Sequence, residues 1–157
     1  MDSDFKEILS AFNAHAVKYL IVGGYAVSFH SQPRATKDLA IFVKPDAQNA
    51  HAVFAALASF GAPLAGLQPL DFQAPDEFFR MGQPPLMIEI LPSIQGVEFD
   101  RAWERRIEAV IDPASGLTAH MISRKDLIAA KLSAARPQDL ADVDAIRKAG
   151  ESQEPGT

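Results

Sequence analysis

Apolar residues recur along the chain with two different periods, and the switches between them mark out its elements. Phe5, Ile8, Leu9 and Phe12 fall at i, i+3, i+4 and i+7, one buried stripe of a first helix. Asp4, with Glu7 three positions on, is the expected cap of that helix. Tyr19-Leu20-Ile21-Val22 is a short apolar run stopped by Gly23-Gly24, a buried strand entering a tight turn. A short helix from Tyr25 to His30 leaves that turn. From Lys37 to Val43 the period becomes two: Leu39, Ile41 and Val43 share one strand face, and Asp38, Ala40 and Phe42 share the other.

Pro45-Asp46 opens a further helix with Val53, Phe54 and Leu57 on its stripe and Gly61 as its stop. Residues 62–83 read as a long connection with a short strand from Phe78 to Met81. The segment from Pro63 to Gly82 has two readings: a wall over a bound ligand, or an exposed apolar contact surface. Leu86 to Leu91, Arg106 to Ile111 and Leu117 to Met121 are three further strands. Ser123 caps a helix with Asp126 at its third position and Leu127, Ile128, Leu132 and Ala135 inward. Pro137 starts a last helix in which Leu140, Val143 and Ile146 pack and Gly150 is the stop. The order predicts an α/β (α+β) domain with a mixed sheet flanked by helices.

The 157 residues suffice for one domain, expected over 1–150, with residues 151–157 as a polar tail. Fifteen basic against 20 acidic residues leave a net charge of −5, which excludes a strongly basic nucleic-acid coat protein. The absence of cysteine excludes a disulfide framework, thiol catalysis and cysteine-bound zinc. The acidic N-terminus lacks a signal-peptide pattern and no run approaches 18 apolar residues, so the expectation is a cytoplasmic protein without a membrane span.

Two features carry chemistry. A strand that ends in Gly23-Gly24 at a helix start presents backbone amides that suit a phosphate; the plainer reading is a tight strand-to-helix turn. Asp38 and Glu89 each stand on an otherwise apolar strand. Carboxylates in such places need water, a donor or a cation, and two on neighbouring strands suit a hard ion such as Mg2+; alone, each reads as a solvated strand face. Arg34 can clamp phosphate or form a surface ion pair. Lys131 lies beside the Leu127–Ile128–Leu132 stripe, where its ammonium either reaches a cleft or stays clear of it. Arg136, Asp139 and Asp142 read as an ion network at a helix start or, alternatively, as substrate contacts. His15, His30, His51 and His120 show no metal-ligand spacing, and no serine, histidine and acid arrangement stands out.

The order Gly23-Gly24, His30, Arg34-Ala35-Thr36-Lys37-Asp38, then Glu89, then Ser123-Arg124-Lys125-Asp126-Leu127 to Lys131 and Arg136 to Asp142 resembles the nucleotidyltransferase superfamily. More narrowly it resembles small bacterial members related to abortive-infection and toxin–antitoxin systems, over about residues 18 to 147. The resemblance implies a nucleotidyltransferase fold with a mixed twisted sheet. It implies Mg2+ at Asp38 and Glu89, phosphate contacts from Gly23, Gly24, Arg34, Thr36 and Lys131, and transfer of a nucleoside monophosphate from an NTP to an RNA or protein hydroxyl. It further implies a cognate toxin or antitoxin as partner, with neither DNA nor membrane. In this pattern a second aspartate follows the first by two residues, pointing the same way. Here that position is Ala40. One bridging carboxylate is missing, so weak metal binding and impaired turnover are expected. Ala40 stands either as a substitution in an active parent, which the intact flanks favour, or as loss in a non-catalytic binding module.

Overall fold

The computed structural model describes residues 1–33, 35–83 and 85–153, the last two without their side chains. Six strands form one sheet in the order β3-β4-β2-β1-β6-β5. The central strands are β1 (Tyr19–Val22), β2 (Asp38–Val43) and β4 (Leu86–Leu91); β6 (Leu117–Met121) lies inside the sheet, and β3 (Phe79–Gln83) and β5 (Ile107–Asp112) form its edges. β2 runs antiparallel to β1 and parallel to β4, and β1 runs parallel to β6. The outer pairs, β3 with β4 and β5 with β6, are antiparallel. The sheet is thus mixed, with helices α1 (Ser3–Ala14) to α6 (Pro137–Gln153) flanking it.

Strand alternation sorts the side chains into two faces. Leu39, Ile41, Ile88 and Ile90 form one, buried together in the core. Phe12 of α1 meets Tyr19 edge-on at 5.6 Å, and Tyr19 is the register partner of Val43 on that same face. α3 (Ala47–Phe60) packs there too, through Ala50, Val53 and Leu57. Phe54 of α3 meets Phe72, which meets Phe79. The segment from Pro63 onward therefore lies on the α3 side and does not wall the other face. On that second face Phe42 meets Phe99 at 5.0 Å, which seats α4 (Phe99–Glu104) at the far end of β2.

Several boundaries differ from the periodicity reading. The cap of α1 is Asp2, whose Oδ1 accepts the Asp4 amide at 2.9 Å; Asp4 stands inside the first turn. The reading omits α4, which is one and a half turns long and has no side-chain cap to announce it. Leu132 and Leu140 are about half exposed and do not join the core. Gly150 does not stop α6, which continues to Gln153. Its lack of a side chain serves packing, because a Cβ there would sit 2.4 Å from the Arg124 guanidinium. His30, at the end of α2 (Gly23–His30), is tied by Nε2 to the Ile122 carbonyl at 2.7 Å. Burial holds its pKa below the ordinary value, with Arg124 acting in the same direction and the carbonyl opposing.

The capping of α5 (Arg124–Ala134) follows the sequence: the Asp126 amide donates to Ser123 Oγ at 3.1 Å, and the Ser123 hydroxyl donates to Asp126 Oδ2 at 2.8 Å. Arg105 adds a two-point grip on the Asp126 carboxylate at 2.7 and 2.9 Å. The start of α6 is built around the buried Asp139. It accepts the Arg136 amide and two guanidinium donors, while Lys131 reaches both Asp139 at 3.3 Å and Asp142 at 3.1 Å. Arg136 first, and Lys131 after it, hold the Asp139 pKa down to about 2 against the opposing effect of burial. Since the folded value lies below the ordinary 3.8, this contribution to stability is complete above pH 3.8 and is lost as pH falls towards 2. Asp139→Asn is expected to cost about 3 kcal/mol at neutral pH, the scale for breaking a buried ion pair, and to flatten the acid limb of stability. Urea denaturation of both proteins between pH 2 and 7 checks this.

Candidate functional site

One row of residues crosses four strands. Val22 on β1 is the register partner of Ala40 on β2, Ala40 of Glu89 on β4, and Glu89 of Arg80 on β3. Paired residues on adjacent strands share a face, so all four point to the side opposite Leu39 and Ile88. Asp38, two residues before Ala40, shares that face and is exposed at the start of β2. The two acidic residues read from the sequence therefore converge on one side of the sheet, with Ala40 between them in register. Glu89 is three-quarters buried, and its Oε1 lies 3.5 Å from Arg80 Nε.

The diglycine turn closes the row at its β1 end. Gly23 has φ of +70°, and a Cβ there would stand 3.1 Å from the Cβ of Ala40. A Cβ on Gly24 would stand 2.8 Å from Thr36 Cγ2. Gly23 needs glycine for its left-handed backbone, and a side chain at Gly24 would have to displace the Thr36 methyl. The Tyr25 hydroxyl, donating to the Thr36 carbonyl at 3.3 Å, holds the same approach from α2. Val22, the N-cap of α2, is extended and supplies no side-chain acceptor. Among the described residues the first turn has no side-chain cap from its N-cap residue, and its amides, at the positive end of the helix dipole, suit an anion.

The structure gathers Gly23, Gly24, Thr36, Asp38, Ala40 and Glu89. Arg34 lies outside the described residues. Lys131 is held by Asp139 and Asp142, so its charge serves the α5–α6 junction in this arrangement. Arg80 is the residue at the row that the sequence reading passed over. The signal was there in its alternation with Met81, whose burial turns Arg80 to the opposite face.

The resemblance implies Mg2+ at Asp38 and Glu89, beside a second aspartate that this chain lacks. Position 40 offers a methyl group where a bridging carboxylate would stand, and Glu89 already faces a guanidinium. Among the described residues, no three His, Cys, Asp or Glu side chains come together in a group able to hold a metal ion. The residues present do not fit that centre.

Residues 1–149 match the family described as "nucleotidyltransferase of unknown function (DUF6036)". No curated protein matches the chain. Among solved structures, the lincomycin-bound lincosamide antibiotic adenylyltransferase LnuA superposes with a TM-score of 0.57 at 14% identity, covering 95% of this chain and 98% of that one. At that identity the likeness establishes the fold, a mixed sheet flanked by helices.

The approach of Gly24 to Thr36 gives a direct test. Gly24→Ala is expected to destabilise the protein by about 1–3 kcal/mol, the range for overpacking a filled contact. Removing the clashing methyl with Thr36→Ser should recover much of that loss. A thermodynamic cycle of the two single variants and the double variant measures the coupling.

Proposed function

The chain belongs to this nucleotidyltransferase family, and on that premise we propose that it binds an NTP along the Gly23–Asp38–Glu89 row with its transfer chemistry curtailed at position 40. The carrying observation is the register Val22–Ala40–Glu89, with Gly23 held against Ala40. In this reading the amides of Gly23 and Gly24 and the adjoining Thr36 segment receive the phosphates. Arg34, next to that segment in sequence, adds charge to them. Lys131 would contact phosphate only on leaving Asp139 and Asp142, so it is assigned here to the α5–α6 junction.

The reaction is attack of a hydroxyl oxygen, on RNA or protein, at the α-phosphorus. The bond to pyrophosphate breaks, and the hydroxyl proton passes to a base. In this reading Glu89, which faces Arg80 across the row, accepts it. Mg2+ is the expected cofactor of a chain with a carboxylate at position 40, where it would neutralise the triphosphate. One domain over residues 1–150 in the cytoplasm, acting with a cognate partner protein of the toxin–antitoxin kind, completes the reading.

A second reading has its own observation. Ala40 and the Arg80–Glu89 pair leave a row balanced for binding more than for turnover, as in a non-catalytic module that holds a nucleotide or a partner protein. The variant Ala40→Asp separates the two. Incubated with Mg2+, each labelled NTP and cell extract, it is expected to transfer label at least about a hundredfold faster than the unaltered chain, since even outer-sphere partners of a metal are worth 10–100-fold. NTP binding by both proteins without transfer by either would establish the module. Failure of both to bind any NTP would overturn the site.

A further inference from the structure

Strand alternation and sheet register together place a fixed positive charge in the row. Met81 is buried on the α1 and α3 face, so its neighbour Arg80 must point to the Glu89 face. The antiparallel register of β3 with β4 sets Arg80 directly opposite Glu89. Side chains in such directly opposed pairs interact, and here Nε stands 3.5 Å from Oε1. The side chain of Arg80 is half exposed, and that of Glu89 is about one-quarter exposed. Arg80, Glu89 and Asp38 sum to one net negative charge. Without Arg80, or with an aspartate at position 40, the sum becomes two.

We infer that Arg80 is the resident counter-cation of Glu89: a divalent cation entering this row competes with the guanidinium for that carboxylate. The inference rests on the nucleotidyltransferase reading of the row, and it adds a residue that sets how readily the row accepts a cation. Arg80 is a positioning residue here, acting through the Glu89 carboxylate. Two distinct deficits then weaken cation binding. Ala40 removes a donor, whereas Arg80 occupies one that remains.

The test uses Mn2+ alone, titrated into the full chain and followed by the free-ion signal in electron paramagnetic resonance. Four proteins are compared: the unaltered chain, Ala40→Asp, Arg80→Gln and the double variant. Arg80→Gln is expected to tighten Mn2+ binding about two- to fivefold in the Ala40→Asp background, the value of a partly exposed ion pair. The gain should shrink as salt screens the pair. Arg80→Lys, which keeps the charge, should stay near its parent. The position of Arg80 on an edge strand favours retention of the fold, and circular dichroism of each variant verifies it. Unchanged or weaker binding by Arg80→Gln, or equal gains from Gln and Lys, would overturn the counter-cation role while leaving a gain from Ala40→Asp intact. No gain from Ala40→Asp itself would overturn the nucleotidyltransferase reading of the row and this inference with it.

Discussion

The closeness of Gly23 to position 40, which leaves little room for a side chain on the first residue, is the constraint on which the rest of this structure depends. It requires β1 to end beside β2 in the register that pairs Val22 with Ala40. It also requires left-handed backbone at Gly23, a conformation glycine adopts without steric cost. Once those conditions hold, the alternation of β2 and its parallel pairing with β4 leave no freedom. Asp38 and Glu89 must face the same side as the start of α2. A one-residue slip in β2 would turn Asp38 and position 40 into the core and bring Leu39 and Ile41 to the other face. The apolar residues thus fix the polar ones.

Charge is handled in two ways on this scaffold. At the α5–α6 junction, Asp139 and Asp142 are buried, and Lys131 and Arg136 neutralise them with several hydrogen bonds. Burial without those partners would be costly, so the network fixes how the two helices meet. At the sheet row the charges are more exposed, less fully partnered and unequal in number. Ions held in the first way resist exchange. Those in the second have water at hand, which makes a ligand of opposite charge able to compete for them.

Much of this was legible in the chain itself. The runs Tyr19–Val22 and Leu86–Leu91 are too short and too apolar to be surface helices, and both are strands. Ser123 and Pro137 marked their helix starts because capping is local chemistry, set within four residues. The convergence of Asp38 with Glu89 followed from parity along each strand. What escaped was set by long-range contacts. Gly150 reads as a stop, but its role is to admit Arg124 from another helix. Leu132 and Leu140 fit a buried stripe, yet the α5–α6 junction is organised by Lys131, Asp139 and Asp142. Arg80 carries no motif, and its partner became visible only when the pairing of β3 with β4 was known.

The location of β3 has a kinetic consequence. As an edge strand it is hydrogen-bonded on one side only, whereas β2 and β4 are bonded on both. Local opening free energy falls where backbone pairing is thin, so β3 detaches more cheaply than the strands bearing the carboxylates. The cation of the row sits on an edge strand, and its anions sit on strands with a neighbour on each side. The row can therefore trade its positive member without unsettling the frame that aligns the negative ones.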